Sequence, residues 1–495
     1  MTASTLSILR MSGVLAMSGA VCLSLPARAQ WSSDPSVNFT VADRAGGQVQ
    51  PKLGPTADGG FYVSWFGNGG DGFDVYLQRL SADGIEQWPH NGILVADRNE
   101  SSTEDYGLAV DVDGNALLAF QYEVAGVAQI GVSKVAADGT PVWGVPGVIV
   151  STDASGAHSP RVAATSDGDA VVAWSGSDRS IVLQKLDGNG QPQWGDTGVV
   201  LDAPSGGFFL AGLHASDAGS VIAAWSAQLS AFDRELWTQK FAGVDGSALW
   251  GSAPVEVFDG SGGALQFGYF PDFVDDGAGG AVFVWYTVSL AGTVHAQHVL
   301  ADGSPAFVQN GVDVTTDTLS SHEEPAGAFD PSTGDIYAVW RVTDAATQSQ
   351  TGILAQRIDA TGALAFGDTG KVLAPQSAID QSQVDVLVLP GGGALFSWVS
   401  DDFPDPMPAH VTRLDASGDA VWGAGVVDIK TAPTDTSRLA GALSARPFAA
   451  YVFEDGSGGA GEGVIKLQNI DFDGVLGPLA PDDTIFADGF EIAPP

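Results

Sequence analysis

Between residues 160 and 201, apolar runs and polar turns alternate four times. Arg161-Val162-Ala163-Ala164 follows Pro160 and ends at the turn Ser166-Asp167-Gly168-Asp169. Ala170-Val171-Val172-Ala173-Trp174 comes next, then Ser180 to Leu186, then the turn Gly188-Asn189-Gly190, Trp194 and Gly198-Val199-Val200-Leu201. Runs this short, rich in β-branched residues and bounded by Gly, Asp and Asn, predict four β-strands joined by tight turns. The same unit recurs eight times along the chain, and outside the N-terminal segment no apolar pattern recurs at helical spacing.

Two spacings hold the repeats in phase. The start of the first run lies 14 residues before the aromatic that ends the second: Pro51–Trp65, Tyr106–Phe120, Pro160–Trp174, Ala211–Trp225, Pro271–Trp285, Val384–Trp398 and Ser437–Tyr451, with Pro325–Trp340 one longer. A spacing of 10 joins the third run to the aromatic before the fourth, as in Gln78–Trp88, Gln184–Trp194, Gln297–Phe307 and Gln356–Phe366. From one second-run aromatic to the next is 51 to 60 residues. Four strands at such a period suit a propeller blade, whose two faces are covered only when neighbours stack on it. The aromatics are expected to fill the gaps between blades. The expectation is an all-β chain, an eight-bladed β-propeller of four-stranded blades. Its repeats span about 49–97, 105–150, 158–201, 209–258, 269–314, 323–373, 382–429 and 435–477. A seven-bladed ring with one repeat outside it is the alternative.

The last repeat is incomplete. After Gln468 there is no aromatic ten residues on and no fourth run, while Val37-Asn38-Phe39-Thr40-Val41-Ala42-Asp43 stands before the first repeat as an unpaired copy of one. An open ring would leave an unpaired edge, so residues 37–42 are expected to close the last blade against residues 464–470.

The ends of the chain read differently. Arg10, the apolar stretch Met11 to Leu25 and Ala27-Arg28-Ala29 form a signal-peptide pattern over residues 1–29, too short to span a bilayer. The expectation is an exported protein, secreted or displayed on the outer cell surface or held in the periplasm, beginning at Gln30 or Trp31. A lipid anchor on Cys22 is the rival, with Gly19-Ala20-Val21 a poor lipobox. Cys22 is the chain's single cysteine, so the mature chain can hold no disulfide, thiolate nucleophile or Cys-based metal site. An exported chain without cysteine points to a bacterial source. Once Arg10 and Arg28 leave, 18 basic residues face 59 acidic ones, a net charge of −41. Such a chain repels nucleic acid and anionic lipid and attracts cations, calcium above all. No stretch after the signal is long and apolar enough to cross a membrane. Residues 478–495 form a linker, Pro478-Leu479-Ala480-Pro481, and a tail.

The tail Asp482-Asp483-Thr484-Ile485-Phe486-Ala487-Asp488-Gly489-Phe490-Glu491 resembles the D-x-I-F-x-D-G-F-E ending of many exported bacterial proteins, which implies sorting or surface display. The turns Asp83-Gly84 to Trp88, Asp138-Gly139 to Trp143 and Ser417-Gly418 to Trp422 resemble the blade-locking turn of quinoprotein dehydrogenases and outer-membrane assembly propellers. They resemble the sialidase Asp box more loosely, because the D-x-G-x-T-W order is absent. The nearest likeness is to bacterial families of exported, Trp-rich propeller repeats. These resemblances imply the architecture and bring no catalytic residues.

Candidate chemistry is sparse. The loops after the second and fourth strands carry the length variation, including 226–235, 343–352, 400–408 and the crossing at 259–265. Binding is expected on that face, to a glycan or a protein. It is also expected at a channel mouth lined by Lys52, Arg161, Asp272, Glu324 and Asp385, placed at the starts of first strands. Asp111 and Asp113, in Asp111-Val112-Asp113-Gly114-Asn115, and Asp401, Asp402 and Asp405 are candidate calcium ligands. The first pair lacks the distal bidentate Glu and lies where the repeat wants a turn. His295 and His298 stand three apart on a strand, hence on opposite faces, and make no zinc pair. Gly-x-Ser-x-Gly and a phosphate loop are absent. The expected function is a binding or scaffold propeller, monomeric, with no enzymatic activity and no cofactor beyond calcium. An enzyme acting on extracellular polysaccharide, of the lyase or glycosidase type, is the alternative.

Overall fold

The computed structural model describes residues 31–479 except positions 71, 99, 102, 152–153, 204, 231–232, 272, 289–291, 403–406 and 457–462. Thirty-two strands form eight four-stranded antiparallel sheets. The first strands touch one another in a closed circuit, from Gln48–Pro55 round to Thr436–Leu443 and back, and so line a central channel. The protein is an eight-bladed β-propeller, and no repeat is left outside the ring. One short 3₁₀ turn, Asp217–Gly219, is the helical element among the described residues.

Burial follows from radial stacking. Eight apolar clusters each span two adjacent blades, so each sheet has apolar partners on both faces. That is why second strands read as continuous apolar runs; Ala281–Thr287 is buried at every position.

The 10-residue spacing has a polar cause that the apolar pattern does not reveal. In Gln184 the side-chain Oε1 accepts the backbone N–H of Trp194 at 3.0 Å, and Nε2 donates to Gly195 O at 2.8 Å. Gln239 does the same for Trp250, Gln297 for Phe307 and Gln356 for Phe366. Each clamp holds an aromatic ring against the turn glycine of the next blade. Trp250 lies on Gly303, Trp422 on Gly474 and Phe366 on Gly418, where an added Cβ would meet ring atoms at 2.6–2.8 Å. These glycines have φ of 79–86°, which other residues adopt at a cost, so space and backbone both demand glycine in that turn. The indoles of Trp143, Trp194, Trp250 and Trp422 also donate to a carbonyl of the next blade.

Ring closure runs through the N-terminus as expected. Phe39–Ala42 is the outer strand of the last blade, with Phe39 opposite Leu467 and Ala42 opposite Ile465. Trp31 does more than the sequence pattern announces. Its indole donates to Ala82 O at 2.8 Å and lies on Gly84, completing the circuit of ring-on-glycine contacts. The clamp is also rebuilt: Gln468 donates to Ser32 O at 2.7 Å and accepts from Asn38 Nδ2 at 2.9 Å. Leu479, assigned to the linker, packs on the same cluster. The rest of the tail, from residue 480, lies outside the described residues.

One alignment needs correction. Gln78 pairs with Val63, two residues before Trp65, whereas Gln468 pairs with Tyr451. The last blade's counterpart of Trp65 is therefore Phe453, and Tyr451 stands two residues earlier. Strand alternation keeps both on the same face, which is why the shift leaves no mark on the apolar pattern.

Candidate functional site

The eight inner strands depart from the apolar runs at their starts: Gln48–Pro55, Ala157–Ala164, Ser320–Asp330 and Asp380–Val388 begin three to five residues earlier than the runs suggest, on mostly polar residues. Five of the eight carry a non-glycine residue in the left-handed region: Gln50, Ser159, Glu324, Gln383 and Arg438, with φ of 49–56°. At each the register of the sheet shifts, between 49 and 52, 158 and 161, 323 and 326, 382 and 385, and 437 and 440. These are β-bulges set at one end of the channel, and strained backbone of this kind costs about 1–3 kcal/mol per residue. A bulge also changes which side chains share a face. Residues three apart on a regular strand point to opposite faces; the inserted residue brings His158 and Arg161 to one side.

Lys52, Arg161 and Asp385 therefore sit inside the inner strands, just past the bulge, and not at the strand starts where they were expected. Glu324 occupies the bulge position itself. They do not form one cluster. Lys52 Nζ and Arg161 Nη2 meet on the same carboxylate, Asp105, at 2.8 and 2.7 Å. Those two cations hold the Asp105 carboxyl below its usual range against the opposing effect of burial. Glu324 lies 3.9 Å from Arg341, which bonds Asp380 at 2.7 Å. Asp385 accepts the N–H of Gly441 and of Val386, both at 2.8 Å, and desolvation pushes its pKa up to about 6. Asp272 is outside the described residues.

The calcium candidates do not converge. The Asp111 carboxylate binds Lys134 at 2.8 Å and accepts from Asn115 and from the N–H of Asp113. Asp113 is exposed, Asp401 ends the strand Ala394–Asp401 opposite Asp380, Asp402 follows it, and Asp405 is outside the described residues. Among the described residues no three His, Cys, Asp or Glu side chains gather as a metal site.

What does converge is the channel mouth between blades 2 and 5, on the face of the variable loops. A cavity of about 640 Å³ is lined by Asp105, His158, Arg161, Arg179, Phe209 and Phe270. A second, of about 500 Å³, continues down the channel past Gly107, Ala109, Ala164 and Ala211 and shares Asp105, Arg161 and Phe270 with the first. Phe270 stacks on Phe209 with centroids 5.7 Å apart. Tyr269 beside it is half-buried and packs on Tyr286, with ring centroids 4.5 Å apart. His158 Nδ1 meets Gln121 Nε2 at 2.8 Å and lies 3.7 Å from Glu104. Arg179 is exposed at the tip of a hairpin with φ of 68°, its stem lying across Gly207. The site thus keeps Lys52 and Arg161 from the expected set and adds Asp105, His158, Arg179, Phe209 and Phe270. Two signals pointed to the additions. The longest period, Trp225 to Trp285, marks the crossing that carries Phe267, Tyr269 and Phe270, and Arg179 is a lone cation in a short turn.

No protein-family model and no curated protein matches the chain. Among solved structures it is similar to prolyl oligopeptidase B from Galerina marginata, with 13% identity and a TM-score of 0.46. That match covers 84% of this chain and 56% of the other, so the chain spans a little over half of that protein's length. It is also similar to an ulvan lyase of polysaccharide lyase family PL25, with 11% identity, a TM-score of 0.46, and 91% and 99% of the two chains covered. A third is the β-propeller domain of the trilobed protease from Pyrococcus furiosus, with 8% identity, a TM-score of 0.42 and coverage of 78% and 98%. The propeller assignment rests on the chain's own strand pairing.

Proposed function

We propose that this chain is an exported, non-enzymatic binding propeller that takes its ligand at the channel mouth on the variable-loop face. One observation carries the proposal. Basic side chains and a stacked aromatic pair line a single open cavity, and the strained bulge at Ser159 sets Arg161 in it beside His158. The size of the cavity is that of a small-ligand site or of one segment of a longer chain.

The enzymatic alternative is favoured by a different observation, the His158 imidazole close to Glu104 and on the same side as Arg161. A histidine and an arginine could serve as base and charge stabiliser. The same experiment addresses both. The mature chain is incubated with a panel of neutral and acidic polysaccharides, and binding and product release are measured together. Binding that Phe270→Ala weakens, without products, is the expected result. Products that disappear in His158→Ala would replace the binding proposal with the catalytic one.

A further inference from the structure

We infer that the ligand at this mouth is an anionic saccharide, one sugar ring lying on Phe270 and its carboxylate or sulfate held by Arg179 and Arg161. The inference rests on the binding site proposed above and names what that site takes.

The first argument is local charge. The chain carries 59 acidic residues against 20 basic ones. At the mouth the balance reverses: Lys52, Arg161 and Arg179 stand with Asp105 and Glu104. The contrast with the opposite face is direct. There Arg79, Lys134, Lys185 and Arg357 each bind the turn aspartate of their own blade at 2.5–2.8 Å. Arg179 makes no ion pair among the described residues, although the chain is rich in carboxylates. Its stem is nonetheless placed, because a Cβ on Gly207 would come within 2.6 Å of its Cδ. Arg161 spends Nη2 on Asp105, which Lys52 shares, and one donor of Nη1 on Pro160 O at 3.2 Å, so the charge of Asp105 is already more than balanced and the rest of the guanidinium keeps its donors. A planar guanidinium with donors to spare suits a carboxylate or sulfate group.

The second argument is shape and surface. Phe270 is 41% exposed and Phe267, three residues earlier, is 73% exposed, while the half-buried Tyr269 between them anchors the loop against the apolar clusters on either side of blade 5. A flat apolar face beside fixed cations fits a ring with an apolar C–H face and an acidic substituent. At the other end of the channel the opening is lined by Asp275 and by Asp217, whose charge Lys240 balances, so the excess of cations is a property of this mouth.

The test uses the mature full chain and titration calorimetry. The probes are oligogalacturonate, its fully methyl-esterified neutral counterpart, a sulfated galactan oligomer and a neutral galactan. The expected result is binding of the uronate or the sulfated oligomer at least 10-fold tighter than of the matching neutral sugar, weakening as salt rises. Preference between the two acidic probes tells carboxylate from sulfate. Arg179→Ala and Phe270→Ala should each lose 10-fold or more with unchanged melting temperature, and Arg179→Lys should recover part of the loss. Equal binding of acidic and neutral sugars, still abolished by Phe270→Ala, overturns the anionic assignment and leaves the mouth as the binding site. Acidic binding untouched by Arg179→Ala and Phe270→Ala overturns both, as does failure of every probe to bind at millimolar concentration.

Discussion

The two faces of the ring are built from the same repeat and do opposite things with it. On the face of the short turns every cation described has a fixed partner: Lys185 binds Asp167 at 2.6 Å, Arg357 binds Asp335, and Lys240 binds both Asp217 and Gly279 O. The turns between third and fourth strands are locked by a ring on a glycine. On the face of the long loops the backbone is strained at five bulges, Asp105 is shared between two cations, and Arg179 has no ion pair among the described residues. Order that serves stability repeats from blade to blade. The features that break the repeat, the shared Asp105, Arg179 and the Phe209–Phe270 pair, are gathered on one side, around one mouth.

That division can be broken by mutation, and the largest effect lies at the seam. Trp31→Ala removes a buried indole, its bond to Ala82 and the last ring-on-glycine contact, and is expected to cost about 3–5 kcal/mol in chemical denaturation. A loss below about 1 kcal/mol would show that strand pairing alone closes the ring. Gly303→Ala comes next. It forces a side chain to within 2.6 Å of the Trp250 ring at φ of 84° and should cost about 2–3 kcal/mol without touching ligand binding.

Asp385 sharpens the comparison through pH. Its folded pKa, about 6, lies above the ordinary carboxylate value, so its favourable contribution is present at low pH and is lost as pH rises through 6. Whatever Asp385→Asn costs at pH 4, the stability gap between parent and variant should move in the variant's favour by about 1–2 kcal/mol between pH 4 and 7. That figure is reduced because the residue keeps a partly exposed edge on the channel. A parallel pH dependence would mean that the carboxylate is better solvated than its surroundings suggest. The smallest effect is expected at Arg179: Arg179→Ala should change stability by less than about 0.5 kcal/mol, because the exposed guanidinium has no ion pair to lose. A larger loss would make Arg179 part of the scaffold.

The architecture was legible because it is local and repeated. Turn glycines, terminal aromatics and a fixed distance from Gln to Trp survive in a single sequence, and so does the missing fourth run of the last repeat. The reason for the distance was not legible, since a glutamine that binds a backbone N–H looks like any polar residue in a strand. Nor was Trp31, whose place is defined only by Ala82 and Gly84 across the seam. The site was harder still. A left-handed Ser159 or Gln50 leaves no trace in composition, yet it decides that His158 and Arg161 share a side. Asp105 joins Lys52 and Arg161 from three different blades, a relation that no spacing within a repeat encodes.

The closing strand also sets the order of events when the chain folds. Phe39 meets Leu467 across 428 residues, while partners within a blade lie mostly within about 20 of each other. Closing so long a loop costs roughly 2 kcal/mol more in chain entropy than closing one of blade length. The N-terminal segment leaves the ribosome first, and its place exists only after the last blade has formed. Until then Trp31 has no Gln468 clamp to complete, and the first and last blades each keep an apolar face uncovered. The slowest and most aggregation-exposed step of assembly is therefore the final one, and a circularly permuted chain that moved the seam to a loop between two other blades would trade that long wait for a different one.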